Sequence, residues 1–90
     1  MTRQDLTAAG DELAAAADLA AETEQGDRLE DLADQLHKLA EADTGPDHGR
    51  LARIQSAMHD LREAVDTDAA SRIRQAHDSI DDYRETLEGV

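Results

Sequence analysis

The chain has no cysteine, tryptophan or phenylalanine, and only one tyrosine, one proline and one lysine among its 90 residues. Without cysteine it can build no disulfide framework and no thiolate metal site, and it has no cysteine nucleophile. No run approaches the roughly 20 apolar residues that a membrane span requires, and the N-terminal MTRQDLTAAG lacks the apolar centre of a secretory signal. A cytoplasmic chain that does not enter a membrane is expected. Bases are scarce as well, 9 against 22 acids, for a formal net charge of −13. A field of that sign repels phosphate backbones and anionic lipid surfaces, and no concentrated basic patch offsets it. Nucleic acid and membrane are therefore not expected partners.

Large apolar side chains are few: ten leucines, three isoleucines, two valines and two methionines. Seventeen alanines supply much of the remaining apolar surface, each burying far less than a leucine. A chain this short buries only about two-thirds of its unfolded surface, so its core is thin and a partner subunit would add to it. The apolar residues are nonetheless spaced too regularly for a disordered acidic chain. An acidic, aspartate-rich, lysine-poor surface suits a cytosol near molar salt, where the Debye length falls to about 3 Å and self-repulsion is screened.

What is present is helical periodicity. Leu6, Ala9, Leu13, Ala16 or Ala17, and Ala20 recur at spacings of three and four, with Thr2 and Asp5 placed for a capping box. That face is narrow and mostly methyl, so a neighbouring helix can approach it closely. Gly26 suits a left-handed residue ending this helix, and Asp27 with Glu30 suits the start of the next. Leu29, Leu32, Leu36 and Leu39 give a second seam, Leu51, Ile54, Met58, Leu61 and Val65 a third, and Ile73, Ala76 or His77, Ile80, Tyr83 or Arg84, and Leu87 a fourth. Asp66 or Thr67 caps the last helix. Helical segments are thus expected near 3–24, 27–43, 47–65 and 68–88 of one domain, residues 1–90. Short turns between them imply an all-α antiparallel up-and-down bundle, either a compact monomer or kinked hairpins completed by dimerisation.

EADTGPDHGR, residues 41–50, looks most like a motif, yet each residue has a structural use. Gly45 can end helix two in the left-handed conformation, Pro46 suits the first turn of the next helix, and Asp47 adds negative charge at that helix's positive end. His48 has no serine or cysteine nucleophile beside it, so a solvated or capping imidazole is expected there, and a partly buried, hydrogen-bonded one at His77.

A carboxylate-bridged metal site in a bundle uses two Glu-x-x-His motifs and two further glutamates. Asp34 and His37 form one Asp-x-x-His, and neither His59 nor His77 has an acid three residues before it. A helical, magnesium-dependent nucleotide pyrophosphohydrolase is the better enzymatic candidate, with Asp31 and Asp34 on one helix and Asp78 and Asp81 on another. Chance gives about five acid-x-x-acid pairs in a chain this acidic and eight occur, so the spacing is weak evidence. Arg50, Arg53, Arg62, Arg72 and Arg74 are the only basic concentration. Asp68 with Arg72 and Asp47 with Arg50 have ion-pair spacing, and an anion site between Arg50, Arg53 and a neighbouring helix is the lesser alternative.

DTGPDHGRLARIQ and SIDDYRETLEGV resemble segments of a family of small, acidic, helical proteins of halophilic archaea whose function is uncharacterised. The resemblance spans nearly the whole chain. It implies a halophilic, cytoplasmic setting and transfers no catalytic or binding residue. The expected protein is accordingly non-enzymatic and free of cofactors, an interaction module that forms a homodimer through Leu6, Leu13, Ala17 and Ala20 or meets another protein partner. On that reading Leu13→Asp or Ala17→Asp weakens association.

Overall fold

The computed structural model describes residues 3–87 as four α-helices, with no strand among the described residues. They are α1 (Gln4–Leu19), α2 (Glu24–Glu41), α3 (His48–Glu63) and α4 (Thr67–Glu85). The all-α bundle expected from the apolar spacing is the fold observed. Its Cα radius of gyration is 12.3 Å. A compact chain of this length should have about 12 Å, so one copy closes its own bundle and long open hairpins are not formed.

Small residues decide the arrangement. α1 buries Ala9, Gly10, Ala16 and Ala17 alongside Leu6 and Leu13, and Ala33 and Ala40 of α2 and Ala69 and Ala76 of α4 are buried with them. Methyl-sized contacts let helix axes come near the short end of the 8–10 Å range. α1 accordingly packs closely along both α2 and α4. α3 buries Leu51, Ile54, Met58 and Leu61, which hold it farther out; it leans on α4 and meets α2 only sparingly. α2 and α4 occupy one diagonal and do not approach each other.

The expected association face is consumed by this packing. Leu6 and Leu13 have no exposed surface and Ala17 is buried; Ala20, half-buried, packs against the same core. The methyl face does admit close neighbours, but they are the chain's own α2 and α4. Leu13→Asp would therefore place a charge in the core and unfold the chain rather than separate subunits.

The helix boundaries are corrected at both corners the glycines suggested. α1 stops at Leu19, and Thr23 rather than Asp27 caps α2, its Oγ1 accepting from Gly26 N at 3.0 Å and donating to the Ala20 carbonyl at 2.6 Å. The left-handed residue of this turn is Glu22, φ 67°. Gly26 lies in the first turn of α2, where a Cβ would come within 2.3 Å of the Ala20 carbonyl oxygen. Its role is close approach. Gly45 likewise does not end α2, which stops at Glu41; a Cβ there would lie 2.7 Å from the Tyr83 hydroxyl and 2.9 Å from Arg3 Nε. Pro46 is buried just ahead of α3, and Asp47 is the cap, accepting from Arg50 N at 2.8 Å. α1 begins after Arg3, and the expected cap Thr2 lies outside the described residues, as do Gly89 and Val90.

Arg3 has a use not legible in its neighbourhood. Its Nη1 donates to the carbonyls of Leu39 (3.2 Å) and Ala42 (2.7 Å), and its backbone N–H donates to Ala40 O at 3.2 Å. The guanidinium thus satisfies the end of α2, where the helix dipole is negative.

Because the obstruction at Gly26 is backbone, Gly26→Ala should lower stability by about 1–3 kcal/mol. Glu22→Gly, which relieves a left-handed residue, should raise it by up to about 1 kcal/mol. Urea unfolding followed by circular dichroism checks both; a stabilising Gly26→Ala would contradict the turn described.

Candidate binding groove between α2 and α3

The carboxylates expected to share magnesium do not meet. Asp31 and Asp34 are exposed on α2, Asp78 and Asp81 are exposed on α4, and those helices stand on the diagonal that makes no contact. Two-helix metal binding by these four residues is therefore ruled out by their placement. Asp78 and Asp81 do lie with His77, one ligand atom from each falling within 4.8 Å of the others, but all three belong to one turn of α4. Asp81 is already engaged, accepting from Gln55. His37, the imidazole of the single Asp-x-x-His, turns away from Asp34 and places Nε2 2.9 Å from Asp11 Oδ1 on α1.

A polar network joins α3 to α4. Gln55, only 6% exposed, donates from Nε2 to Asp81 Oδ1 (2.9 Å) and to the His77 carbonyl (3.3 Å). Its Oε1 accepts from Arg84 Nη1 at 2.8 Å, and Arg84 Nε donates to His48 Nδ1 at 3.0 Å. His77 is half-buried with Nδ1 3.3 Å from Asp81 Oδ2, as its place beside the fourth seam suggested. His48 is not the solvated imidazole expected. With Nδ1 accepting, the neutral ring carries its proton on Nε2, an atom shut off from solvent and without a partner among the described residues. No nucleophile joins this network, and apart from His48 Nε2 its buried polar atoms are bonded to one another; its effect is to hold α3 on α4.

That attachment leaves the opposite flank of α3 facing α2 across a groove. Three shallow depressions of about 290, 200 and 330 Å³ run along it. The first two share Leu32 and Gln35, and the first and third share Arg50 and Arg53, so they form one continuous channel. Leu32, Leu39, Ile54 and Ala57 line its floor, and Arg28, Arg50 and Arg53 stand along it. From Arg28 to Leu39 the channel follows α2 for about 16 Å, three helical turns.

Three arginines stand along this groove. α3 carries Arg50, Arg53 and Arg62 against Asp60 and Glu63, and is the one helix in which bases outnumber acids. The ion pairs expected from spacing are not used: Asp47 bonds the backbone of Arg50, and Arg72 reaches Glu12 on α1 at 3.2 Å instead of Asp68. Arg28, Arg50 and Arg53 are exposed and make no side-chain hydrogen bond or ion pair among the described residues. Lys38, Arg62 and Arg74 are likewise unpaired among the described residues, so what distinguishes the groove is that three such guanidiniums stand along one channel with an apolar lining. The basic concentration was visible in the sequence; Arg28, distant in the chain, was not connected with it.

The chain matches, over residues 1–86, the model of a family described as "Family of unknown function (DUF7553)". No curated protein and no solved structure matches it.

Gln55→Ala removes the only buried polar side chain among the described residues together with the link between Asp81 and Arg84. It should cost about 1–3 kcal/mol in urea unfolding while leaving helicity unchanged at low denaturant; a loss below the error of the measurement would show that α3 is held by its apolar seam alone.

Proposed function

Because this chain belongs to DUF7553, a family whose function is unknown, its own surfaces must supply the reading, and we propose a non-enzymatic interaction module whose contact face is the α2–α3 groove. The observation that carries this is the row of unpaired arginines, Arg28, Arg50 and Arg53, along a three-turn channel with an apolar floor. Amphipathic helices are received in grooves through anchors at i, i+3, i+4 and i+7, and the dimensions here suit a helix of about three turns. Arginine forks favour carboxylates, so the partner presents an acidic helix. The surplus of exposed acid elsewhere opposes binding of nucleic acid or anionic lipid. It also fits work in a cytosol of high salt, and no helix among the described residues is long and apolar enough to cross a membrane. Self-association through the alanine–leucine face is replaced by association through this groove.

A direct test is calorimetric titration in about 1 M KCl, where the Debye length is near 3 Å, with a synthetic three-turn helical peptide bearing carboxylates at i, i+4 and i+7. Saturable binding is expected, and Arg50→Glu with Arg53→Glu should weaken it by roughly tenfold or more. Absence of binding, or equal binding by the reversed-charge variant, would overturn the groove as the contact face.

A further inference from the structure

We infer that the acidic helix received by the groove is α2 of a second copy of this chain, the two copies facing each other so that each α2 lies along the other's α3. The inference rests on the groove being the contact face and names its occupant. α2 carries Asp27, Asp31 and Asp34 at i, i+4 and i+7, all exposed, and Asp31 lies in the wall of the groove itself. One surface therefore holds both halves of a complementary pair: an acidic ridge on α2 and Arg50 with Arg53 on α3. That is what an isologous two-fold interface needs, since every contact is made twice by the same patch.

The geometry is definite. With the two-fold axis parallel to the helices, α2 of one copy runs antiparallel to α3 of the other, and residues keep their height along the bundle. Gln35 and Arg53 line the same depression and so stand at one level. Arg53 of one copy then lies opposite Asp34 of the second, within arginine reach of Asp31 as well. A two-fold axis across the helices would instead set α3 on α3, with arginine against arginine, and is disfavoured. Two bodies of net charge −13 repel at low ionic strength, but at molar salt that repulsion is confined to about 3 Å while contacting guanidinium–carboxylate pairs persist. The dimer therefore strengthens as salt is added, opposite to an ordinary surface ion pair.

Charge exchange tests this sharply. Light scattering after size exclusion, in about 0.1 M and about 1 M KCl (Debye lengths near 10 and 3 Å), should show the natural chain as a dimer in the stronger salt. Arg50→Glu/Arg53→Glu sets acid against acid, and Asp31→Arg/Asp34→Arg sets base against base; each alone should raise the dissociation constant by roughly tenfold or more. Mixed in equal amounts, the two variants regain both contact sets and should form a heterodimer, which also shows that neither had misfolded. A natural chain monomeric in both salts would overturn the second copy as occupant; if the acidic peptide still bound, the occupant would be a helix of another protein and the groove would stand. A dimer indifferent to both variants, or a mixture that fails to pair, would overturn the inference equally.

Discussion

The close approach of α1 to both α2 and α4 governs the rest of the molecule. Ala9, Gly10, Ala16 and Ala17 keep that helix thin on the sides it buries, and Ala33, Ala40, Ala69 and Ala76 do the same on its neighbours. Three helices are thereby drawn tightly together with little apolar volume, which is how a chain short of large side chains closes a core. The same constraint sets the position of α3. Its Leu51, Ile54, Met58 and Leu61 are too large for such spacing, so it stands off from α2 and opens the groove.

A second layer of interactions holds α3 on the α4 side of that opening. Gln55 and Arg84 fasten α3 to α4 through part-buried hydrogen bonds, with the Gln55 end buried. At the bundle's other corner Arg3 ties the end of α2, reaching 36 residues along the chain to Leu39 and 39 to Ala42. Both devices occupy arginines. What remains on the α2–α3 flank is Arg28, Arg50 and Arg53, unpaired among the described residues although Asp31 lies in the same groove wall, while Asp47 accepts at the α3 cap.

These features join fold to function in one physical argument. On the proposed reading, the arginine-bearing flank belongs to a body of net charge −13 that repels its own kind, so association through that flank would depend on screening. High ionic strength would remove the long-range penalty and leave the short-range contacts, which is why the proposed association is expected at high salt.

Much of the fold was readable from the chain itself. Apolar residues at three and four spacing identified four helices and their large buried side chains, because a helix's inward face is set by a local period, but not the small buried residues Gly10, Ala33, Ala40 and Ala69 or the buried Gln55. Asp47 at the start of α3 and the seam Ile73, Ala76, Ile80 follow from that period and from capping chemistry alone. Thr23 followed by Glu24 marks the start of α2, whereas Gly26 suggests a boundary three residues downstream, since a glycine's need for space cannot be told from its need for a left-handed backbone until the neighbouring carbonyl is in place. Tertiary structure alone decided which helices touch. It sent the apolar face of α1 inward, set Asp31 and Asp34 on the far diagonal from Asp78 and Asp81, and brought Arg28 into line with Arg50 and Arg53. Each of those outcomes depends on interaxial distances fixed by pairs of side chains far apart in the chain, and spacing along a single helix carries no information about them.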